Sequence, residues 1–386
     1  MTMTLKIDIG VASLSKEQEE VCGDTVEIVK TEQSTTIVFS DGLGSGIKAS
    51  ILSILSARIA SGLLKRNVSL EQVFATIADT LPTCKVRNLA YSTLSILRIK
   101  PNGDCHLIEY DNPLLLRLKQ GKIAPINRKK REIAGKETFE SWFRIEPEDL
   151  LVLFSDGVLN AGVGGLYRLG LGYHGVINSV IDWADDYDYA QPIAERLIEV
   201  VDACYLGRIG DDSTSVIIKP RHPRTAVLLT GPPASAADDR EVVAKFLNYQ
   251  NAERIVCGGA TGNLVARELK REIKTSLQYE DPSVPPTATI QGIDLVTEGI
   301  LTLNKSLTKL KSGGGEWRKE PRADGATLLC QALTRADRVI MLVGTAVNSA
   351  HEEFMSSLQL LTRTEVVARL QEVLSQMDKE VSIEKY

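Results

Sequence analysis

The 386-residue sequence holds only four histidines and six cysteines, and no two cysteines form a CxxC pair. Cys22, Cys84, Cys105, Cys204, Cys257 and Cys330 are scattered along the chain, most of them in apolar or strand-like surroundings. Zinc and thiol chemistry therefore have no ligand pattern, and the cysteines read as reduced, buried thiols. A large excess of charge is also missing. Fifty acids against 45 bases leave a net charge of −5, so no global basic field exists to hold nucleic acid or an anionic membrane. No uninterrupted apolar run approaches the roughly 20 residues of a membrane span, and Met1–Gly10 alternates like a strand without an apolar signal core. Neither nucleic acid nor membrane is expected as a partner, and a cytoplasmic location is expected.

What is present is an ordinary globular composition, 43% hydrophobic and 25% charged, at a length that suits two domains. The chain is organised around Thr36–Gly46. Ile37, Val38 and Phe39 form a short apolar run, as in a strand buried on both faces, and three glycines in the next seven residues let the backbone bend sharply. That turn lacks the Lys-Ser/Thr ending of a P-loop and the GxGxxG spacing of a dinucleotide site, so Asp41 at the strand's end is the expected working part.

The pattern before Asp41 predicts a hairpin of Thr25–Lys30 and Thr35–Ser40, opened by Asp24. Helices are predicted over Ile47–Leu64, with Ile47, Ile51, Leu55, Ile59 and Leu63 at helical spacing, and over Ser69–Thr80, the two covering the sheet. Tyr91–Ile99, Cys105–Tyr110, Leu114–Leu118 and Lys122–Pro125 read as an antiparallel meander, and the charged run Arg128–Glu132 as a solvated loop. A strand pair follows at Ser141–Ile145 and Asp149–Ser155. Leu151–Val158 then repeats the earlier motif: apolar run, Ser155, Asp156, Gly157, apolar residue. After a flexible Gly-rich loop at Ala161–Gly172 and helices at Val176–Trp183 and Ala190–Cys204, a third acidic cluster, Asp211-Asp212, abuts the strand Ser215–Lys219.

Pro220–Arg224 marks a domain boundary, giving expected domains of 1–222 and 223–386. Beyond it, strands Thr225–Thr230, Arg254–Cys257, Thr287–Gln291 and Arg338–Val343 alternate with helices at Asp239–Asn248, Asn263–Lys274, Val296–Leu310 and Gly325–Thr334, before a closing helix at Thr364–Lys379. This βαβ rhythm predicts a smaller α/β domain with a mostly parallel sheet. Asp281–Pro286 and Lys311–Glu316 read as loops. Thr230–Ala234 and Cys257–Asn263 place small residues after strands, where a tight βα turn or an anion-binding helix start are both open readings.

Asp24, Asp41, Asp156, Asp211 and Asp212 each lie at a strand end or tight turn, where aspartate is common for local reasons. Together, with few basic residues nearby, they would repel one another without cations. Hard divalent ions, Mn²⁺ or Mg²⁺, fit an aspartate-only set lacking His and Cys.

The ordered blocks Gly23-Asp24, Ser40-Asp41-Gly42-Leu43-Gly44-x-Gly46-x-x-Ala49, Ser155-Asp156-Gly157 and Asp211-Asp212-Ser213-Thr214 resemble SpoIIE-like members of the metal-dependent (PPM-type) Ser/Thr protein phosphatases, over about residues 1–220. Tyr110–Arg117 looks like that family's central hairpin. The resemblance implies an α+β fold, a four-layer αββα sandwich, followed here by the smaller α/β domain. It implies two or more Mn²⁺ or Mg²⁺ ions. Asp41 would bridge two of them and the Gly42 carbonyl would bind one. Asp24 would complete the first site, Asp156 and Asp211 would hold the second, and Asp212 would support, with the choice between Asp211 and Asp212 open. Water acidified by the ions would attack phosphoserine or phosphothreonine in a regulatory protein, such as an anti-sigma-factor antagonist. The phosphate-gripping arginine of longer-studied relatives has no counterpart, since Leu5–Asp24 contains no Arg. A catalytically weak phosphatase-fold sensor, regulated through a small ligand at the C-terminal domain, is the alternative reading. A nucleotide-binding role for the C-terminal loops and a homodimer also remain open.

Overall fold

The structure is a computed structural model that describes residues 4–80, 83–84, 89–90, 92–184, 186–275, 286–312, 324–346 and 360–386. Tyr91, the Cys84 side chain, most of the Asp281–Pro286 loop and most of the Lys311–Glu316 loop lie outside the described residues. The chain divides into two compact units, Met1–His222 and Pro223–Tyr386.

In chain order, the first unit contains β1 (Lys6–Leu14), β2 (Asp24–Lys30), β3 (Thr35–Asp41), α1 (Gly46–Leu64), α2 (Leu70–Thr80), the short pair β4 (Thr83–Cys84) and β5 (Leu89–Ala90), β6 (Leu94–Ile99) and β7 (Asp104–Tyr110). It continues with β8 (Leu116–Lys119), β9 (Lys122–Ile123), β10 (Lys129–Ile133), β11 (Lys136–Arg144), β12 (Asp149–Phe154), α3 (Asp156–Leu159), α4 (Gly172–Ala184), α5 (Ala190–Tyr205) and β13 (Ser213–Arg221). One sheet runs β1-β13-β12-β8-β9 and another β10-β11-β7-β6-β3-β2.

Strand side chains alternate between faces, so each sheet has two sides to cover. Ile37, Phe39, Leu97 and Leu107 of one sheet meet Leu151, Leu153, Val216 and Ile218 of the other in a single cluster. Behind them, Val38, Ile96 and Ile108 pack against Ala57, Ala60 and Leu64 of α1 and Val73, Phe74 and Ile77 of α2. Val152, Phe154 and Ile217 pack against Val176 and Val180 of α4 and Ile193, Leu197 and Val201 of α5. Packing thus runs helix, sheet, sheet, helix.

Three expectations change here. In α1 the buried face is Gly46, Ala49, Ser53, Ser56, Ala57, Ala60, Ser61 and Leu64, while Ile47, Ile51, Ile54 and Leu55 are exposed. Small residues let the helix lie close to the sheet, and the large aliphatics are turned outward. By length and composition α1 is also the one helix among the described residues apolar enough to cross a membrane. Second, the charged run at Arg128–Glu132 is not a loop. Its residues 129–132 belong to β10, an edge strand paired with β11 only, where exposed charges deter pairing with further chains. Third, the meander is broken: β7 and β8 lie in different sheets, so Tyr110–Arg117 is a crossing between sheets and not a hairpin.

The second unit contains β14 (Thr225–Thr230), α6 (Asp239–Asn248), β15 (Ala252–Cys257), α7 (Gly259–Leu269), β16 (Lys274–Thr275), β17 (Ala288–Thr289), β18 (Leu295–Thr297) and α8 (Ile300–Lys311). Then come α9 (Gly325–Arg335), β19 (Arg338–Val343), α10 (Arg363–Gln376) and β20 (Glu380–Lys385). Its sheet runs β16-β17-β18-β15-β14-β19-β20, and the five strands from β18 to β20 are parallel. Helices α6 and α7 pack on one face through Phe246 and Val265, and α8, α9 and α10 on the other through Leu307, Leu333 and Leu370. Val296, expected in a helix, is a strand residue paired with Val256; the helix begins only at Ile300, after Gly299.

Candidate metal centre

Pairing of β2 with β3 sets Asp24 directly opposite Asp41. The end of β3 is pinned from its other side, where Asp41 N donates to Thr93 Oγ1 at 3.2 Å and Thr93 N donates to Asp41 O at 2.9 Å. The chain then has to pass beneath α1. A Cβ on Gly42 would stand 2.0 Å from the carbonyl oxygen of Ala49, so only glycine fits there.

Asp156 opens α3 immediately beyond β12, and its neighbours are stitched to β13. Ser155 N donates to Thr214 O at 3.1 Å, and Thr214 N donates to Ser155 Oγ at 2.9 Å. A Cβ on Gly157 would stand 2.1 Å from the Asp212 carbonyl oxygen. Asp211 and Asp212 are thereby held beside Asp156. Asp212 is only 4% exposed. Its Oδ1 accepts from Lys16 N at 3.0 Å, and its Oδ2 points at Gly23, where a Cβ would stand 2.8 Å away.

The acids share one electrostatic field. Burial, followed by the charges of Asp24, Asp156, Asp211 and Asp212, pushes Asp41 up to about 9. Burial raises Asp24 to about 7 against the opposing pull of the Thr214 and Ser155 hydroxyls, with Asp212 and Asp156 adding repulsion. Asp156 and Asp211 are also raised, chiefly by burial. Yet both carboxylate oxygens of Asp24 and Oδ2 of Asp212 are buried without a hydrogen-bond partner. The hydroxyls nearest Asp24 are engaged elsewhere: Thr214 Oγ1 with Ser13 Oγ, and Ser155 Oγ with Asp212 O and Thr214 N.

Buried carboxylate oxygens without donors, in a cluster of like charge, are costly unless a cation joins them. The donor set is all oxygen, which suits hard ions such as Mg²⁺ or Mn²⁺. The fit is not that of a closed cage. Among the described residues, no group of three or more His, Cys, Asp or Glu side chains is placed so as to hold a metal ion. Asp24, Asp41, Asp156, Asp211 and Asp212 are therefore brought into one field, with Gly42 beside them, but are not gathered onto one point.

Two charged residues in this field escape a sequence reading. Lys16 pulls the Asp211 carboxyl down while its backbone N–H holds Asp212, and Asp111 repels Asp156. Asp111 has a φ of 54° before Asn112-Pro113, which reads as a turn residue and nothing more. The Ala161–Gly172 loop, expected to be flexible, is tied at its ends by Leu171 N donating to Ala161 O at 3.0 Å.

Residues 31–221 match the family model described as Stage II sporulation protein E (SpoIIE). Asp24 lies just before the matched segment. No curated protein matches. Among solved structures, the phosphatase domain of SpoIIE from Bacillus subtilis is similar at 19% identity and a TM-score of 0.45, covering 57% of this chain and 95% of that one. The RsbU and RsbW domains of a Mycobacterium tuberculosis protein are similar at 14% identity and a TM-score of 0.47, covering 64% of this chain and 68% of that one. RsbX in complex with magnesium is similar at 16% identity and a TM-score of 0.40, covering 56% and 99%.

Proposed function

We propose, on the premise that residues 31–221 are a SpoIIE-family domain of the PP2C phosphatase type, that the first unit is a Mn²⁺- or Mg²⁺-dependent phosphatase acting on phosphoserine or phosphothreonine in a regulatory protein. The observation that carries this reading is the set of partnerless buried oxygens on Asp24 and Asp212 inside the field centred on Asp41. Divalent ions bound there would supply Lewis acidity toward a phosphoryl group and toward water.

In this reading Asp41, opposite Asp24, would serve both ion sites, the Gly42 carbonyl and Asp24 would help hold the first ion, and Asp156 with Asp211 would hold the second. Asp212 supports from beneath, braced by Lys16 N. The stitching of Ser155 to Thr214 keeps Asp156 in place while substrate binds. A protein substrate is favoured by the loop that follows α3 in the chain, which exposes Val163, Leu166, Tyr167 and Leu169. An anti-sigma-factor antagonist is the kind of substrate proposed.

The test is release of phosphate from a phosphopeptide with and without Mn²⁺. Asp41→Ala and Asp156→Ala should each abolish Mn²⁺-dependent release while the far-ultraviolet circular dichroism stays native; full activity in either variant sinks the reading. The Leu5–Asp24 segment, which carries no arginine to grip a phosphate, favours a second one, a catalytically weak phosphatase-fold sensor regulated through its C-terminal domain. Normal multiple turnover by the protein alone would exclude that second reading.

A further inference from the structure

The parallel strands of the second unit stand in the order β18-β15-β14-β19-β20. Numbered along the chain, this is third, second, first, fourth, fifth. The connections also change faces. Helices α6 and α7, between the first three strands, pack on one side of the sheet, and α8, α9 and α10 on the other. Neighbours β14 and β19 therefore leave the sheet in opposite directions at their carboxyl ends, which opens a crevice there.

The residues at that opening are specific. Gly231, just beyond β14, has a φ of +80°, and Gly344, just beyond β19, has its N–H donating to Thr230 O at 2.9 Å. A Cβ on Gly344 would stand 2.0 Å from Pro232 O, so the two loops touch backbone to backbone. Over them lies the guanidinium of Arg363, from the first turn of α10. Its Nη1 donates to Gly344 O at 2.8 Å and would stand 2.2 Å from a Cβ on Gly231. Arg363 is half-buried and makes no ion pair with a carboxylate among the described residues, so its remaining N–H groups are uncommitted. Across Cys257, at the end of β15, lies Glu298, whose Oε2 is buried without a hydrogen-bond partner. Gly231 N donates to Thr261 Oγ1 at 2.8 Å, a Cβ on Gly258 would stand 2.9 Å from that hydroxyl and 3.8 Å from Gly299 Cα, and Cys257 Sγ donates to Glu298 O at 2.9 Å, which brings the Gly231 loop under Arg363 and the Glu298-Gly299 turn together.

A fixed guanidinium suits a phosphate, and a partnerless carboxylate oxygen suits a hydroxyl donor. We propose that the second unit binds a phosphate monoester of a hydroxyl-bearing small molecule, a mononucleotide in kind, at this crevice, with the phosphate on Arg363 and a hydroxyl on Glu298. This site is independent of the phosphatase reading of the first unit.

The experiment is calorimetric titration of the full chain, in EDTA so that no metal-dependent phosphate site contributes, with AMP, ribose 5-phosphate and adenosine as probes. AMP or ribose 5-phosphate should bind, adenosine should not, Arg363→Ala should weaken binding at least ten-fold, and Arg363→Lys should weaken it less. Adenosine binding as well as AMP, binding unchanged in both Arg363 variants, or no binding by either phosphate ester overturns the proposal. Arg363 also ties the carbonyls of Gly344 and Ala346, so the alanine variant could unfold. Hydrogen exchange on the unaltered protein covers that case: AMP should protect the amides around Gly231, Gly258 and Gly344, and unchanged exchange there overturns the site.

Discussion

Asp24 shows what the candidate centre costs the fold. Its two carboxylate oxygens are buried with no donor, directly opposite the Asp41 carboxylate. Such a group destabilises the metal-free protein by on the order of 1–3 kcal/mol. Asp24→Asn removes the charge and keeps the shape. It should raise the melting temperature measured in EDTA while reducing the further rise produced by Mn²⁺. A metal-free melting temperature below that of the parent would contradict this account. At this scale the sequence was informative where a residue carries its own signal. Each aspartate of the cluster stands beside a glycine or a second aspartate at a strand end, and the fold brings them into one electrostatic field. Lys16 and Asp111 carry no such signal, because their proximity to Asp211 and Asp156 comes from strand pairings between distant segments.

Helix α1 poses the converse problem, since its periodicity is visible but its orientation is not. Spacing shows an aliphatic stripe and leaves open whether it faces the sheet. Here the close approach that Gly42 and Ala49 make selects the Ala/Ser face for burial. Ile47→Lys or Ile51→Lys should therefore change unfolding free energy by no more than about 0.5 kcal/mol, as a surface substitution does. Ala57→Leu or Ala60→Leu, at positions that are 0% exposed, should cost about 1–3 kcal/mol through overpacking. Chemical denaturation of the four variants would distinguish the two orientations. In the second unit, α9 begins with a side-chain cap: Asp324 Oδ1 accepts from Ala326 N at 2.8 Å and Thr327 N at 2.9 Å. Burial pulls its pKa upward, but the Thr327 N–H, the Lys309 ammonium and the Ala326 N–H outweigh this and hold the carboxyl below its usual range. A depressed carboxyl stabilises the fold above its unfolded pKa and loses that effect as pH falls through the folded value. Asp324→Ala should thus cost about 1 kcal/mol at pH 7, and the gap from the parent should shrink below about pH 4. Strand β20 was not legible beforehand: Glu380–Lys385 alternates weakly, and its pairing with β19 is supplied by the tertiary sheet.

For the molecule as a whole, the alternation of apolar runs, glycine turns and amphipathic helices made the parallel second unit readable, whereas the layering of the first was an expectation carried by its family resemblance. The missing information was which strand joins which sheet. β8 and β9 look like a continuation of β6 and β7, and only the crossing at Asp111–Leu115 assigns them to the other layer. One connection has a practical outcome. β13 begins just after Asp211-Asp212, is paired on both sides by β1 and β12, and ends at Arg221; β14 begins at Thr225. Between them run only His222, Pro223 and Arg224, and the backbone N–H of Arg224 is bound to Asp337 Oδ2 at 2.8 Å. A protease must draw a length of unpaired, extended chain into its cleft, and this junction offers almost none. Brief trypsin digestion of the native protein, followed by mass spectrometry, should therefore leave the bonds after Arg221 and Arg224 intact while looser segments are cut. Early release of fragments ending at either arginine would show that β13 frays. A recombinant first unit, for the same reason, should be terminated after His222 and not within the strand, because a stop at Pro220 removes the Arg221 partner of Lys6.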